Sequence, residues 1–266
     1  MTDLALEGVS YRYRQGATLA LDGIDLHIRA GERVAVVGQN GSGKTTLVRH
    51  LNGLLRPTLG RVLHDGRDVA RRTVAQLART VGLAFQDPDR QIFAGSVRRE
   101  VEFGPRNLGI SGGELHRVVD EALAEVGFAG EASTNPYDLG ASRRKLLALA
   151  SVQSMGTPVL ILDEPTTGQD MRGVEIVKLL IDRAHAAGRT VIAISHDMEF
   201  VAASFDRVVV LRLGRVILDG SPASAFDEGS WEALRSTYLE PPLPAIIGSR
   251  LGLGATPTDD ELLAAL

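Results

Sequence analysis

The sequence contains no cysteine, almost no lysine and no long hydrophobic run. A chain of 266 residues buries enough surface to fold without disulfides or structural metals. The lack of cysteine suits a reducing compartment without proving one. The first residues lack the basic and apolar regions of an export signal, and no apolar run approaches the about 18 residues of a membrane span. We therefore expect a soluble chain that needs a partner for any work at a membrane.

An excess of positive charge is missing as well. The formal net charge of −4 argues against a protein that binds nucleic acid through a broad basic surface. The only lysines are Lys44, Lys145 and Lys178, and all other basic side chains are arginine. We attribute this preference to the codon usage of a GC-rich genome.

Hydrophobic patterning predicts an α/β fold. Alternating or continuous apolar residues predict strands at 4–13, 19–29, Glu32–Val37, Val159–Leu162, Thr190–Ile194, Val208–Leu213 and Val216–Leu218. Helical patterns cover Thr45–Leu54, Leu115–Val126, Arg143–Ser154 and Gly173–Ala187. Buried strands that alternate with helices indicate a largely parallel sheet covered on both faces.

The composition changes after about residue 220, where prolines become frequent. We predict a main domain at 1–220 and a C-terminal appendage at 221–266. Its last helix is expected over Thr258–Leu266, with a capping box from Thr258 to Glu261. The appendage either adds dimer contacts, through apolar groups at Leu251–Leu253 and Leu262–Leu266, or folds on its own domain.

A glycine-rich segment follows the strand that ends at Val37. Its residues, which we call the phosphate loop, are Gly38, Gln39, Asn40, Gly41, Ser42, Gly43, Lys44 and Thr45. They match the pattern G-x-x-x-x-G-K-[ST], in which glycines let the backbone approach phosphate oxygens and N–H groups at a helix N-terminus bind them. We expect Lys44 to reach the β- and γ-phosphates and Thr45 to ligate Mg²⁺, with Thr46 beside them. The predicted ligands are ATP and Mg²⁺.

Two adjacent acids end the apolar run Val159–Leu162. Neighbouring side chains of a strand point to opposite faces, so Asp163 and Glu164 are expected to have different roles. We predict that Asp163 holds the Mg²⁺ shell and that Glu164 orients or deprotonates the attacking water. The alternative is that both acids only cap the next helix.

Five further segments follow the order of a known family. They are Tyr11-Arg12-Tyr13, Phe85–Phe93 with the sequence FQDPDRQIF, Leu139–Arg143, Thr166–Asp170 and Ser195-His196-Asp197. With these segments the chain resembles the ATP-binding subunits of ABC transporters. Among those it resembles the ATPases of energy-coupling factor transporters, which import vitamins and transition metals in prokaryotes. The resemblance is close from residue 4 to about 220.

The resemblance implies a phosphate-loop NTPase fold of ABC type. Its sheet core would carry an inserted helical subdomain at about 88–155. Two such subunits, as a homodimer or a heterodimer, would close head to tail around two Mg·ATP. They would sit peripherally on the cytoplasmic face of the cell membrane and bind an integral membrane transporter subunit. Two less favoured alternatives are a soluble ABC ATPase of DNA repair or translation and a phosphate-loop kinase.

The resemblance also implies roles for single residues. The ring of Tyr13, or of Tyr11 in its place, would stack on adenine. Gln86 would sense Mg²⁺ and water, and the segment after it would touch the membrane partner. His196 would contact the γ-phosphate and help to position water and Glu164. Asp170 is the acid of the loop that crosses to the other subunit.

One segment departs from the family. Where the pattern has Leu-Ser-Gly-Gly-Gln, this chain has the signature segment Leu139–Arg143, with Gly140, Ala141 and Ser142 in place of serine and the two glycines. In the family this segment closes over the γ-phosphate of the opposite subunit. The serine hydroxyl is lost, while Ser142 could N-cap the helix or replace it by a register shift. Arg143, Arg144 and Lys145 would add positive charge near the phosphates. The segment is either a variant that hydrolyses normally, which we favour, or one half of a heterodimer with a weakened site.

Overall fold

The computed structural model describes residues 2–14 and 18–266. Within them lie ten strands in two sheets. The strands are β1 (Leu4–Tyr11), β2 (Leu21–Ile28), β3 (Arg33–Val37), β4 (Leu59–His64), β5 (Arg67–Asp68), β6 (Val81–Ala84), β7 (Val159–Asp163), β8 (Thr190–Ile194), β9 (Arg207–Arg212) and β10 (Arg215–Gly220). Every strand predicted from the sequence is present. The patterns do not predict β4, β5 and β6, because these strands are short or begin with exposed residues.

Six strands form the central sheet in the order β10-β9-β3-β8-β7-β6. Neighbours from β9 to β6 are parallel, and β10 joins β9 as an antiparallel hairpin. Every residue of β7 and β8 is buried, as expected for parallel strands covered on both faces. The carboxyl ends of β3, β6, β7 and β8 therefore meet at one edge, where α/β sheets bind ligands.

The second sheet is antiparallel, with the order β2-β1-β4-β5. Leu4 pairs with Ile28 on one side and with His64 on the other. The buried face of this sheet packs on the central sheet and forms an apolar cluster with it. Leu47 and Leu51, from the helix that follows the phosphate loop, belong to the same cluster. This packing fixes the helix that follows the phosphate loop against both sheets.

Eleven helices lie in the described part of the chain. They are α1 (Lys44–Leu51), α2 (Val74–Leu77), α3 (Val97–Leu108), α4 (Gly112–Glu125), α5 (Ala141–Gln153), α6 (Met171–Ala186), α7 (Met198–Ser204), α8 (Pro222–Ala225), α9 (Trp231–Arg235), α10 (Leu243–Arg250) and α11 (Asp259–Ala265). None of these helices has the length and apolar character that crossing a bilayer requires. The four helices predicted in the main domain appear as α1, α4, α5 and α6.

Helices α3, α4 and α5 pack on one another between β6 and β7 in the sequence, where the resemblance implies a helical subdomain. Its bounds at about 88–155 remain a prediction. The sequence patterns do not predict α3, because it contains Gly104 and Pro105, which disfavour helices. Tertiary contact explains Gly104: a Cβ there would lie 2.5 Å from Cγ of Met155.

The C-terminal appendage folds partly onto the rest of the chain. Phe226, Leu234, Leu239 and Ala245 belong to the same buried cluster as residues of β8 and β9. The capping box from Thr258 to Glu261 is confirmed at the start of α11. Outward-facing leucines remain, since Leu263 is 69% exposed. A dimer contact through the appendage stays a prediction.

Candidate functional site

The phosphate loop joins β3 to α1 and bends tightly. Gly38 has φ 143° and Gly43, the residue before α1, has φ 108°. A Cβ would lie 2.2 Å from the carbonyl oxygen of Leu211 at Gly38, and 2.5 Å from that of Ala20 at Gly43. Only glycine fits both positions. No side chain of the described residues caps the first turn of α1, so its N–H groups are available to an anion.

An open cavity of about 240 Å³ lies beside this loop, at the carboxyl edge of the central sheet. The predicted site residues that line it are Tyr13, Asn40, Gly41, Gly43, Lys44, Thr45, Thr46, Gln86, Asp163 and Glu164. Residues from separate segments of the chain thus meet in one place. Three other predicted residues of the phosphate loop, Gly38, Gln39 and Ser42, do not line this cavity, and Ser42 is fully buried.

Lys44 is almost completely buried under the loop. Its Nζ donates to the carbonyl oxygens of Gly38 at 2.6 Å and Gln39 at 3.0 Å. Burial lowers the pKa of Lys44, and the negative charges of Glu164 and Asp163 oppose that shift. An ammonium group has three donors, so one is left for a ligand.

Asp163 ends β7 and faces the start of α1. Thr45 Oγ1 donates to Asp163 Oδ2 at 3.2 Å. Asp163 Oδ1 is buried and has no hydrogen-bond partner among residues 2–14 and 18–266. Burial is the main cause of the raised pKa of this carboxyl group. An unpartnered carboxylate oxygen beside a threonine hydroxyl fits a hard cation such as Mg²⁺.

Glu164 and His196 come from the ends of neighbouring strands and meet directly. His196 Nδ1 donates to Glu164 Oε2 at 2.7 Å, and Thr167 Oγ1 donates to the same oxygen at 3.2 Å. Glu164 has φ 51°, a conformation that is uncommon outside glycine and that persists where the surroundings fix it. Its N–H donates to the carbonyl oxygen of Ile194 at 2.9 Å. The backbone thus directs this carboxylate towards the cavity.

Of the two candidate aromatic residues, Tyr13 is the one that lines the cavity. It is 40% exposed, and its hydroxyl lies 3.0 Å from Thr46 Oγ1. Tyr11 packs against the apolar cluster between the two sheets, edge-on to Tyr13 with ring centroids 4.9 Å apart. The structure therefore favours Tyr13 for contact with a ligand and gives Tyr11 a supporting position.

Gln86 follows β6 and is exposed at the cavity wall. The loop around it is held by Gln91, a residue that the sequence patterns do not single out. Gln91 Oε1 accepts from the N–H of Phe85 at 3.0 Å, and its Nε2 donates to the carbonyl oxygen of Ala148 at 2.7 Å. These bonds tie the loop after β6 to α5.

The signature segment lies outside the cavity. Ser142 and Asp170 line a separate surface hollow of the same chain. Asp170 N-caps α6, because its Oδ1 accepts from the N–H of Gly173 at 2.7 Å. The suggestion that Ser142 caps α5 is wrong: the capping position is held by Gly140, and Ser142 Oγ instead donates to Gln169 Oε1 at 2.8 Å. Ala141 is the first residue of α5.

The three cations after Ser142 have partners within the chain. Arg143 pairs with Glu131 and lies over the ring of Phe128, 4.4 Å from its centroid. Arg144 pairs with Asp89 at 3.1 Å. Lys145 is buried and its Nζ donates to the carbonyl oxygen of Thr167 at 3.2 Å. Whether the three cations lie near the phosphates of a partner subunit stays a prediction, because within their own chain each already has a partner.

Comparison with known proteins agrees with this geometry. The profile of the family described as ABC transporter matches residues 21–167. The chain belongs to the ABC transporter family. That match spans the phosphate loop, Gln86, the signature segment and the Asp163–Glu164 pair. The resemblance inferred from the motifs is confirmed.

Relatives of this ABC chain include energy-coupling factor proteins. It is 38% identical to an energy-coupling factor transporter ATP-binding protein of Methanothermobacter thermautotrophicus, over 97% of this chain and 83% of the other. It is 42% identical to a putative ABC transporter ATP-binding protein of Methanosarcina acetivorans, over 90% of this chain but only 39% of that relative. The solved structure of cbiO1 from Clostridium perfringens, part of the ABC transporter complex cbiONQ, superposes with a TM-score of 0.76 at 37% identity, covering 94% of this chain and 98% of the other.

Proposed function

We propose that this chain binds and hydrolyses ATP and thereby powers an energy-coupling factor importer of a vitamin or transition metal. The observation that carries the proposal is the convergence of Lys44, Thr45, Asp163 and Glu164 in one cavity. A cation, a metal-binding pair and a general base are the parts that phosphoryl transfer to water requires. The energy-coupling factor relative and the cbiO1 structure support the transport role.

Each group has a distinct task in this proposal. The N–H groups of the phosphate loop and Lys44 bind the β- and γ-phosphates. Thr45, Asp163 and Gln86 would hold Mg²⁺, which neutralises charge that develops on the phosphate oxygens. Glu164 orients the attacking water and accepts its proton, and His196 holds the Glu164 carboxylate in place. Tyr13 contacts the adenine.

A second subunit completes the site. Gly140, Ala141, Ser142 and Asp170 do not line the cavity that holds Lys44 and Glu164. In a head-to-tail dimer they would face the nucleotide of the partner. The backbone N–H groups at the start of α5 would then bind the γ-phosphate without a serine hydroxyl. We favour a homodimer with two working sites; a heterodimer with one slower site is the alternative.

An aromatic surface beyond Gln86 is the proposed contact with the membrane subunit. Phe93 and Phe103 are 57% and 49% exposed, with ring centroids 4.7 Å apart. Glu100 Oε2 holds this surface by accepting from the N–H groups of Phe93 at 3.0 Å and Ala94 at 2.8 Å. Exposed apolar patches of this kind mark protein interfaces. The chain would thus lie peripherally on the cytoplasmic face of the membrane.

The first experiment measures Mg·ATP binding and phosphate release by the purified chain and by Glu164→Gln. The variant should retain ATP, form a stable dimer and lose turnover by about 10²-fold or more. Glu114→Gln changes an exposed glutamate of α4 and serves as the matched control. Unchanged turnover in Glu164→Gln would remove Glu164 from its role, and absence of ATP binding in the parent chain would end the proposal.

The second experiment tests the transport role by copurification from the source membranes. The tagged chain should carry an integral membrane protein with it, and Phe93→Asp should lose that protein. Leu179→Asp places the same charge on an exposed leucine of α6 and should still copurify it. Recovery of the chain with ribosomes or DNA, and with no membrane protein, would favour the soluble ABC alternative.

A further inference from the structure

The first turn of α5 is bonded to the loop 166–170 of the same chain. Ser142 Oγ donates to Gln169 Oε1 at 2.8 Å, and Gln169 Nε2 donates back to the carbonyl oxygen of Ser142 at 3.1 Å. The two bonds form a reciprocal pair between one side-chain amide and one residue. The family pattern has glycine at this position, and glycine has no side-chain hydroxyl that could donate to Gln169 Oε1.

Gln169 is itself fixed in this position. Its N–H donates to the carbonyl oxygen of Thr166 at 3.0 Å. Its side chain packs against the backbone of α6, since a Cβ on Gly173 would lie 2.2 Å from Gln169 Oε1. Because the side-chain amide of Gln169 cannot rotate freely, a displacement of Ser142 is passed on to the loop 166–170.

A second side chain makes the same connection one turn along α5. Lys145 is 5% exposed, and its Nζ donates to the carbonyl oxygen of Thr167 at 3.2 Å. Thr167 Oγ1 in turn donates to Glu164 Oε2 at 3.2 Å. Burial lowers the pKa of Lys145, and the charges of Glu164, Asp163 and Asp87 oppose that shift. The ammonium group therefore lies within the electrostatic reach of the acids that act on water and metal.

The residue type at position 145 is informative in this chain. Only three of its 29 basic residues other than histidine are lysines, and two of those, Lys44 and Lys145, are buried near the same two carboxylates. The ammonium group of a lysine is a compact charge on a flexible four-carbon stem, which suits a single contact with the carbonyl oxygen of Thr167. Codon usage explains the arginines but not this exception.

We infer that Ser142 and Lys145 are positioning residues that fasten the first turn of α5 to the loop carrying Glu164. The inference rests on the proposed function. A movement of α5 during the ATP cycle is then passed to the loop 166–170, whose Thr167 hydroxyl donates to the Glu164 carboxylate, so that the signature segment is coupled to the general base. Ser142 thus serves its own chain, in addition to any contact of the segment with the partner's nucleotide.

Steady-state ATP hydrolysis tests the lysine. Lys145→Met keeps the stem and removes the ammonium group, and Lys145→Gln keeps an N–H donor for Thr167. We expect kcat to fall about 10- to 100-fold in the first variant, with KM for ATP changed less than about threefold, and part of kcat to return in the second. Lys178→Met, at a partly exposed position of α6 where the ammonium group pairs with Glu175, is the control. A Lys145→Met enzyme with parental kcat, or with its loss confined to KM, would overturn the inference.

A double-mutant cycle tests the serine. Ser142→Ala and Gln169→Leu should each lower kcat about 3- to 10-fold, and the double variant should lose no more than the worse single one. Multiplied losses would show that the two residues act independently, which contradicts the inference.

Hydrogen exchange of the nucleotide-free protein separates this inference from the proposed function. Ser142→Ala should speed hydrogen exchange at the backbone N–H of Gln169 about tenfold or more, because the loop 166–170 loses the hydrogen bond from the Ser142 hydroxyl. This readout needs no ATP, so it stands even if the parent chain proves unable to hydrolyse it. Unchanged exchange at Gln169 would refute the fastening while leaving ATP hydrolysis untouched.

Discussion

His196 Nδ1 and Glu164 Oε2 are 2.7 Å apart, although the two residues follow different strands. The pair is asymmetric, because the Glu164 side chain is 8% exposed and that of His196 is 63% exposed. His196 does not line the cavity itself, but its exposed ring fixes a mostly enclosed carboxylate that does. Parallel pairing of β7 with β8 brings the two residues together.

Replacement of His196 should therefore impair the chemical step more than binding. We expect His196→Ala to lower kcat for ATP hydrolysis about 10²-fold, since the Glu164 carboxylate loses its partner. The affinity for ATP should change only a few-fold. His116→Ala, at an exposed position of α4, controls for the loss of an imidazole. Parental turnover in His196→Ala would show that Glu164 needs no such support.

Loss of the Asp163 charge should uncouple ATP binding from Mg²⁺. The buried Oδ1 of Asp163 has no partner in the described part of the chain, so the parent chain should bind ATP more tightly with Mg²⁺ than without it. In Asp163→Asn the two affinities should become similar, as measured by equilibrium titration. Asp260→Asn, in the exposed first turn of α11, should keep the difference.

The two tyrosines can be separated by three variants. If the ring of Tyr13 stacks on adenine, Tyr13→Ala should weaken ATP binding about 10- to 100-fold, a range consistent with base–aromatic stacking. Tyr13→Phe loses only the contact with Thr46 and should bind within about threefold of the parent. Inorganic tripolyphosphate, which has no base, should bind all variants equally. If Tyr11→Leu weakened ATP binding and Tyr13→Ala did not, Tyr11 would be the stacking residue.

Two buried histidines predict a loss of stability in mild acid. His50 Nδ1 donates to the carbonyl oxygen of Thr46 at 2.8 Å and His64 Nε2 to that of Leu51 at 2.9 Å. Their other ring nitrogens are buried without a partner among the described residues. Burial lowers the pKa of both rings below the ordinary 6.5.

The sign of the effect follows from proton binding. The ordinary pKa of histidine is 6.5. Below this pH the two histidines bind protons in the unfolded chain but stay neutral in the folded chain. The free energy of unfolding therefore falls as pH decreases. Each histidine adds a slope of up to about 1.4 kcal/mol per pH unit until its folded pKa is reached. Urea unfolding between about pH 5 and pH 7.5 should show this. His64→Gln should reduce the slope, whereas His116→Gln should leave it unchanged.

The sequence predicts the parts of the site that local patterns encode. The apolar runs of β3, β7 and β8 end at Gly38, Asp163 and Ser195, and parallel pairing brings these ends to one edge. The phosphate loop, the acid pair and His196 are therefore recognisable from their spacing along the chain alone. The roles assigned to them remain to be tested by the variants above.

The remainder depends on contacts that no local pattern records. Strand β5 has two residues and is defined only by its pairing with β4. The bond between Ser142 and Gln169 joins residues 27 positions apart through a loop conformation. The sequence groups Lys145 with Arg143 and Arg144 as positive charge near the phosphates, and only the packing of α5 shows that Lys145 is buried.

The contacts behind the phosphate loop bear on how the protein is made. Gly38 lies against the backbone of Leu211, and Gly214 N–H donates to the carbonyl oxygen of Ser42 at 2.9 Å. The hairpin of β9 and β10 thus supports the conformation of the phosphate loop. The ribosome synthesises this hairpin long after residue 45. A nascent chain that stops near residue 200 should therefore have no nucleotide affinity, and the protein should gain it only after β9 and β10 have been synthesised.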